Sequence, residues 1–334
     1  MKRALIALLP LFVVAACSSG TQQSSSGPGN SDVATGGEQF STADEETARL
    51  GTDAEPGQFP RTVTHASGET VIESKPERVV VLDTGELDDV LSLGITPVGM
   101  VVPEGDGQPS YLQDKLDGIA EVGAIGTPDV EAVAALKPDL ILGSKLRVDK
   151  LYDQLSAIAP TVFSIRPGFP WKENFLLVGD ALGEEDRAVQ VLNDYQAKAD
   201  EVRASLDGAP TISMVRFLPG KIRLYGNLSF IGVILKDVGL PRPAIQDIDE
   251  LAVETSPENI VDADGDRIFY SSYGSPSATD QSTVVGSPLW ATIPAVAAGR
   301  AQEVSDELWF LALGPTGAML VLDDLQMRLA PVRE

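Results

Sequence analysis

The stretch "ERVVVLDTGELDDVLSLGITPVGMV", residues 77–101, decides the fold. It contains a short apolar run typical of a buried strand, a turn, a helix that ends at Leu93-Gly94 and a second apolar run. A strand, a helix and another strand in succession predict a parallel sheet with a right-handed crossover connection. The predicted fold class is therefore α/β.

The same unit recurs along the chain. Helix, turn and strand follow one another in "PDVEAVAALKPDLILGSKLR", residues 128–147. A comparable order returns in "KIRLYGNLSFIGVILKDVGLPRP", residues 221–243, and "SPENIVDADGDRIFYSSY", residues 256–273, where Glu258 aligns with Glu131 at an offset of 127 residues. Independent convergence is one explanation, because this unit is common. The order of two successive units favours the other explanation, which is two lobes of like construction.

The segment between these units predicts how the lobes are joined. Residues 171–206 keep apolar residues at helical spacing, loosened only at Gly179 and Gly183. This predicts one long, rigid helix between a first lobe at 59–170 and a second lobe at 207–334, each with a mostly parallel sheet. Ligands of such sheets bind beyond the carboxyl ends of the strands, so the two lobes would face each other across a ligand-binding cleft.

A hairpin precedes the first unit. The segment "RTVTHASGETVI", residues 61–72, alternates in polarity on both sides of Ser67-Gly68. We expect His65 to be an exposed residue at the hairpin turn.

The first residues have the layout of a secretory signal. Basic residues precede about a dozen apolar residues, too few to span a bilayer, and Val14-Ala15-Ala16-Cys17 looks like a bacterial lipobox. An incidental thiol is the alternative. We expect a signal peptide at 1–16, lipidation of Cys17 and an unfolded tether over 17–58, which is rich in Ser, Gly and acidic residues. The remaining chain would be a soluble body held at the outer face of a membrane.

Composition excludes several functions. Loss of Lys2 and Arg3 with the signal leaves 23 basic against 49 acidic residues, a net charge of −26. Such a charge argues against nucleic acid or an anionic membrane surface as a partner. One histidine and one cysteine cannot form a His or Cys metal site, and the usual general base is lacking. We expect neither a catalytic residue nor a metal-binding site.

Five segments of the chain carry a family resemblance: they lie within residues 77–101, 128–147, 211–227 and 256–273 and in "SPLWATIPAVAAGRAQEVSDELW". They resemble the iron-siderophore substrate-binding proteins of bacterial ABC importers, the class whose lobes are joined by one rigid helix. The resemblance covers residues 60–330 and implies a monomeric, lipid-anchored receptor that passes a ferric chelate to an ABC permease. Iron would be held only through its chelator, without a cofactor. Receptors for haem and corrinoids share the architecture, so these ligands stay open, as does an envelope scaffold that transports nothing.

The segment "TISMVRFLPGKIRLYGN", residues 211–227, carries the strongest candidate site. If Pro219-Gly220 is a two-residue hairpin loop, Arg216 faces Arg223, on the side that also carries Tyr225. Like charges in this arrangement repel each other unless water screens them or an anion lies between them. The arginines either pair with nearby carboxylates or form a wall that binds an anionic ligand.

Other candidates follow the strands of the two lobes. Their positions at the carboxyl ends of strands, or the resemblance in the case of the tryptophan, would bring them to the cleft: Thr84 with Glu86, Lys145, Arg147, Tyr270, Tyr273 and Trp309. An ordinary loop role, or core packing for the tryptophan, is the alternative. The resemblance also implies that Glu131 and Glu258 dock onto permease arginines; otherwise these acids only favour a helix dipole.

Overall fold

A computed structural model of the chain describes residues 47–103 and 107–330. The predicted signal peptide, Cys17 and the tether up to residue 46 lie outside these residues. The described part folds into two α/β lobes. No helix in 47–103 or 107–330 combines the length and the apolarity that crossing a membrane requires.

The first lobe contains β1 (Arg61–His65), β2 (Gly68–Ile72), β3 (Val79–Val81), α1 (Thr84–Ser92), β4 (Gly99–Val102), β5 (Ala120–Ala124), β6 (Thr127–Pro128), α2 (Val130–Ala135), β7 (Leu140–Ser144), α3 (Lys145–Val148), α4 (Tyr152–Ser156) and β8 (Thr161–Ser164). Strands β3, β4, β5, β7 and β8 run parallel in a sheet of order β6-β5-β4-β3-β7-β8, with β6 antiparallel at one edge. The predicted strand–helix units are confirmed, because apolar runs such as Val79–Val81 are buried on both faces of the sheet.

The second lobe contains β9 (Ile212–Leu218), β10 (Lys221–Tyr225), α7 (Phe230–Val238), β11 (Ala252–Thr255), β12 (Arg267–Ser272), α8 (Gln281–Val285), α9 (Pro288–Ala291), α10 (Pro294–Ala297), β13 (Ala301–Glu303) and α11 (Pro315–Leu329), preceded in the chain by α5 (Trp171–Leu182) and α6 (Glu185–Ser205). Its sheet has the order β11-β10-β9-β12-β13. Strands β9, β12 and β13 are parallel, whereas the hairpin adds β10 and β11 as antiparallel neighbours, so this sheet is mixed rather than mostly parallel.

The connection between the lobes is not the single helix that the spacing predicts. Gly183 adopts a left-handed conformation (φ 66°) and ends α5, and α6 begins at Glu185. Helix α5 packs against α1 and the first sheet, while α6 contacts α5, α7 and α11. The 21-residue helix α6 is therefore the element that runs between the lobes.

A buried polar trio fastens three helices around this connection. The Lys172 Nζ of α5 lies 2.7 Å from Asp237 Oδ2 of α7, and the Tyr195 hydroxyl of α6 donates to the same oxygen at 2.9 Å. Lys172 and Tyr195 are fully inaccessible to solvent, and burial raises the pKa of Asp237 despite the nearby ammonium group. The trio joins α5, α6 and α7 by charge-assisted hydrogen bonds.

The chain crosses between the lobes a second time. After β13 it passes through a π-helical turn at Glu307–Leu311 and enters α11, which packs on both α6 and α1. Asp88 of α1 accepts hydrogen bonds from the backbone N–H groups of Thr316 (3.0 Å) and Gly317 (2.9 Å), which caps the start of α11. Helix α11 is therefore anchored on the first lobe although its strand neighbours belong to the second.

Two predictions for the N-terminal part are wrong. Residues 47–58 are not an unfolded tether, since Thr52 N donates to Asp180 Oδ2 at 3.2 Å and Gly57 N donates to Glu185 Oε2 at 3.1 Å. These backbone hydrogen bonds help to offset the conformational entropy that residues 47–58 lose on ordering, although the segment has few apolar residues.

His65 is buried, not exposed at the hairpin turn. Its Nδ1 accepts hydrogen bonds from the N–H groups of Ser67 and Phe163, both at 3.3 Å. Its Nε2 lies 2.9 Å from the Thr70 hydroxyl, which itself donates to a backbone carbonyl. These contacts fix the neutral tautomer protonated at Nε2, and burial lowers the pKa of His65 to about 4.

Candidate functional site

The second lobe presents Arg216 at the carboxyl end of β9. The predicted hairpin register is confirmed, with Arg216 opposite Arg223 on one side and Ser271 of β12 on the other. The guanidinium group is not free, because Nε and Nη2 contact the two oxygens of Asp306 at 2.7 and 2.6 Å. Asp306 also accepts a hydrogen bond from the Ser271 hydroxyl at 2.7 Å. Arg216 therefore pairs with a carboxylate that lies 90 residues further along the chain.

Aromatic side chains surround this arginine. The Arg216 guanidinium carbon lies 4.8 Å from the Tyr273 ring centroid and 5.0 Å from that of Phe310, and Nη1 donates to the Tyr225 hydroxyl at 3.1 Å. Such contacts combine a cation–π attraction with apolar packing. Tyr273 is the most accessible of the three rings, at 41% exposure, so it forms the outer part of this wall.

Arg223 occupies a different environment from Arg216, although the two side chains are opposite each other. Its Nη2 lies 3.2 Å from Glu254 Oε1 of β11, and Lys221 Nζ lies 3.4 Å from the same oxygen. Glu254 is exposed, and this pairing with two cations lowers its pKa. Both hairpin arginines thus pair with carboxylates, and the repulsion expected between them is relieved.

The first lobe presents Arg147 beyond β7. Its Nε donates to Asp83 Oδ2 at 2.9 Å, while the other oxygen of Asp83 accepts from the backbone N–H of Thr84 at 2.7 Å and caps α1. Burial lowers the pKa of Arg147, but Asp83 and, more weakly, Glu86 and Tyr273 outweigh it, so that the pKa is raised. Tyr273 belongs to the second lobe, so the lobes lie close enough here for its charge to act on Arg147.

Glu86 is buried, close enough to Asp83 and Arg147 for their charges to act on its carboxyl group. Its Oε1 accepts from the Ser164 hydroxyl at 3.3 Å, and its Oε2 is buried without a hydrogen-bond partner. Burial, with a smaller contribution from the charge of Asp83, raises the pKa of Glu86 to about 8. Most Glu86 side chains are therefore protonated at neutral pH.

Some residues predicted to reach the cleft do not. Tyr270 packs against Phe217 and Trp290 at ring distances of 6.5 and 5.6 Å, on the face of the sheet opposite Arg216, because side chains alternate along β12. Trp309 is fully buried, lies 5.0 Å from the Phe269 ring and donates through Nε1 to Asp324, so it has the core-packing role.

Two further candidates in the first lobe serve local structure. Thr84 is buried and contributes its N–H group to the cap of α1. Lys145 Nζ donates to the carbonyl of Ala66 at 3.2 Å, in the loop of the first hairpin, which directs it away from the Arg147–Asp83 pair.

Other residues near these arginines had weak sequence signals or none. Asp306 and Phe310 lie on either side of the tryptophan in "SDELWFLALG", and Asp83 directly precedes the helix that Thr84 begins. Ser164 ends β8 and was detectable only by the general rule that cleft residues follow strands.

The lobes also touch at the edge of the cleft. Glu307 accepts hydrogen bonds from the backbone N–H and the hydroxyl of Ser110, at 2.6 and 2.5 Å. The neighbouring Tyr111 hydroxyl donates to the carbonyl of Ala312 at 2.8 Å. Two hollows, of about 360 and 160 Å³, lie elsewhere, one beside residues 49–54 and the other beside α7.

Glu131 and Glu258 are both exposed. Glu131 lies in the first turn of α2, which leads into β7, a strand parallel to β3. Glu258 lies in the first turn of the 3-10 helix Pro257–Ala263, which leads into β12, a strand parallel to β9. Hydrogen bonds from its own backbone N–H and from Ser256 lower the pKa of Glu258. The two acids thus have equivalent positions in the two lobes.

Three comparisons with known proteins agree with this architecture. The family model described as "Periplasmic binding protein" matches residues 79–307, which is more than half of the chain. The chain belongs to the periplasmic binding protein family. Within 47–103 and 107–330, this binding protein has no group of three or more His, Cys, Asp or Glu side chains placed to hold a metal ion.

Individual relatives of this binding protein share most of its length. It is 39% identical to the probable siderophore-binding lipoprotein YfiY of Bacillus subtilis over 80% of this chain and 86% of that protein. The achromobactin-binding periplasmic protein of Dickeya dadantii is 31% identical over 75% and 85% of the two chains. Staphylococcus aureus SirA complexed with staphyloferrin B superimposes with a TM-score of 0.73, at 32% identity, over 80% of this chain and 98% of that one.

Proposed function

We propose that this periplasmic binding protein captures an anionic ferric siderophore outside the cytoplasm and delivers it to the permease of an ABC importer. The observation that supports the proposal is that Tyr273 of the second lobe stacks near Arg216 and also acts electrostatically on Arg147 of the first lobe, which would bring both arginines to one ligand. The relatives support it, since they include proteins named as binding siderophores, achromobactin and ferric citrate.

The chemistry of these groups suits a chelate rather than a bare ion. Guanidinium groups donate planar, charge-assisted hydrogen bonds to carboxylate or catecholate oxygens, and aromatic faces contact the organic part of the ligand. Iron is the cargo and keeps the oxygen ligands of its chelator, so the cleft needs no His or Cys. Binding and release are the whole activity, with no catalytic step and no resident cofactor.

Delivery and anchoring complete the proposal. Glu131 and Glu258, exposed at equivalent positions, present one carboxylate per lobe to permease arginines. Cys17, which lies outside the described residues, carries the lipid that holds the protein at the membrane. The name of the Bacillus subtilis relative, a lipoprotein, supports this anchor.

The test is a calorimetric titration of the purified protein with ferric staphyloferrin B, acinetobactin, petrobactin, bacillibactin and citrate. We expect at least one chelate to bind with a micromolar or lower Kd. Substitution Arg216→Ala should then weaken it about ten- to a hundredfold, which corresponds to the loss of one or two charge-assisted hydrogen bonds.

Arg328→Ala is the matched control, because Arg328 pairs with Asp324 at 2.8 Å on α11, outside the cleft. Its chelate affinity should stay within about twofold of wild type. Absence of binding by every chelate would refute the proposal in favour of a scaffold, and binding of haem or a corrinoid alone would replace the ligand class.

A further inference from the structure

Most of the hydrogen-bonding capacity of Arg216 is used within the protein. Of the five N–H donors of a guanidinium group, two contact Asp306 and one contacts the Tyr225 hydroxyl. The rings of Tyr273 and Phe310 lie against it at 4.8 and 5.0 Å, and the Arg216 side chain is only 8% exposed. One N–H donor on each of Nη1 and Nη2 remains for a ligand, which would meet an arginine whose charge is already balanced.

Asp306 is held in place independently of Arg216. The Ser271 hydroxyl donates to Oδ1 at 2.7 Å, and the Asp306 side chain is only 14% exposed. The following residue, Glu307, accepts two hydrogen bonds from Ser110 of the first lobe, one at each carboxylate oxygen. Because these contacts hold both the carboxylate of Asp306 and the residue that follows it, an incoming anion does not simply push Asp306 aside.

The opposite wall follows the same pattern. Arg147 pairs with Asp83 at 2.9 Å, so the second cleft arginine is also balanced by a carboxylate of its own. In the hairpin, Lys221 and Arg223 share the carboxylate of Glu254. Arg147 and Arg216 are thus each balanced by a carboxylate, and they offer an anion less positive charge than two unpaired arginines would.

We propose that Asp306 is a specificity-determining residue that limits the negative charge of the chelates the cleft accepts. This inference rests on the proposed function of the cleft as a ferric-siderophore site. Asp306 offsets the positive charge of Arg216, so trianionic ferric triscatecholates gain less from the cleft than they would from an unpaired arginine. Chelates with little or no negative charge are affected least, and the native ligand belongs to the weakly anionic class.

Coulomb's law sets the size of the effect. A unit charge about 6 to 12 Å from a ligand charge, at an effective dielectric constant of about 20, changes affinity by about ten- to a hundredfold. Replacing Asp306 with asparagine keeps the shape of the side chain and removes that charge. Affinity for a trianionic chelate should therefore rise by at least about tenfold more than affinity for a neutral one.

The experiment measures Kd for ferri-bacillibactin, a triscatecholate, for neutral ferrichrome, and for the chelate that wild type binds most tightly in the panel above. Wild type, Asp306→Asn and Asp306→Ser are compared over a range of NaCl concentrations. We expect both variants to favour the more negative chelates and to show a steeper loss of affinity with salt. Thermal melting establishes whether each variant is folded. If Asp306→Asn does not fold, Asp306→Ser provides the same comparison.

Asp323→Asn is the matched control. Asp323 of α11 pairs with Lys198 of α6 at 3.0 Å, so the substitution removes the same charge away from Arg216 and should leave all three affinities unchanged. If wild type binds no ferric chelate, the proposed function fails and this inference fails with it. If wild type binds but the Asp306 variants keep the same charge preference, or weaken every chelate equally, only the inference fails, and Asp306 merely positions Arg216.

Discussion

Replacing Lys172 with methionine should destabilise the protein by about 3 to 5 kcal/mol, the usual cost of removing one partner from a buried ion pair. Methionine fills a similar volume but leaves the Asp237 carboxylate with the Tyr195 hydroxyl as its remaining partner in the trio. Burial already raises the pKa of Asp237, and loss of the ammonium group should raise it further. The destabilisation should therefore grow with pH, because the unpaired group must either take up a proton or remain charged.

Equilibrium urea denaturation of wild type and variant measures this free energy directly. Lys198→Met is the matched control, since Lys198 pairs with Asp323 and Glu201, which are both largely exposed, and its removal should cost about 1 kcal/mol or less. The double substitution Lys172→Met with Asp237→Leu should recover most of the loss, because no uncompensated charge remains buried. A loss no larger than that of the control would refute the reasoning that the trio fastens the helices.

Four further predictions concern protonation and cellular function. Glu86 has a pKa raised from 4.5 to about 8, so its folded form holds a proton that the unfolded chain releases; stability should fall as pH rises through this window, and Glu86→Gln should flatten that fall in urea titrations at several pH values. His65 has a pKa lowered from 6.5 to about 4, so stability should be lost as pH drops through that interval, and a His65→Phe variant that shows an unchanged acid limb would contradict this. Glu131→Arg with Glu258→Arg should sharply lower uptake of the ferric chelate by cells at unchanged affinity, and a loss of affinity would count against docking. Cys17→Ala should move the protein out of the detergent phase, and partitioning like that of wild type would count against anchoring.

The local part of the fold could be predicted from the sequence. Apolar runs and helical spacing are properties of neighbouring residues, so strand–helix units appear directly in segments such as 77–101. The register of the second hairpin also follows from a local feature, because a two-residue loop at Pro219-Gly220 leaves one pairing for Arg216 and Arg223.

Long-range partners could not be predicted in the same way. No local pattern connects Arg216 with Asp306, whose pairing depends on how β9 and the segment after β13 meet at one edge of the sheet. Ordering of residues 47–58 relies on backbone hydrogen bonds to the carboxylates of Asp180 and Glu185, which apolar content does not report. Gly183 was visible as a weak point, but only its left-handed conformation decides that α5 ends there.

Helix α11, capped by Asp88 of the first lobe, bears on how a biosensor made from this protein must work. Two struts, α6 and α11, brace the lobes against wide separation, so a pair of fluorophores placed one on each lobe should report little change in distance when cargo arrives. An environment-sensitive dye beside Tyr273, at the mouth of the cleft, should respond instead, because the ligand alters local solvation there. A fusion partner joined directly after Leu329 would disturb the packing of α11 between the lobes, so reporter proteins are better attached at the N-terminal side.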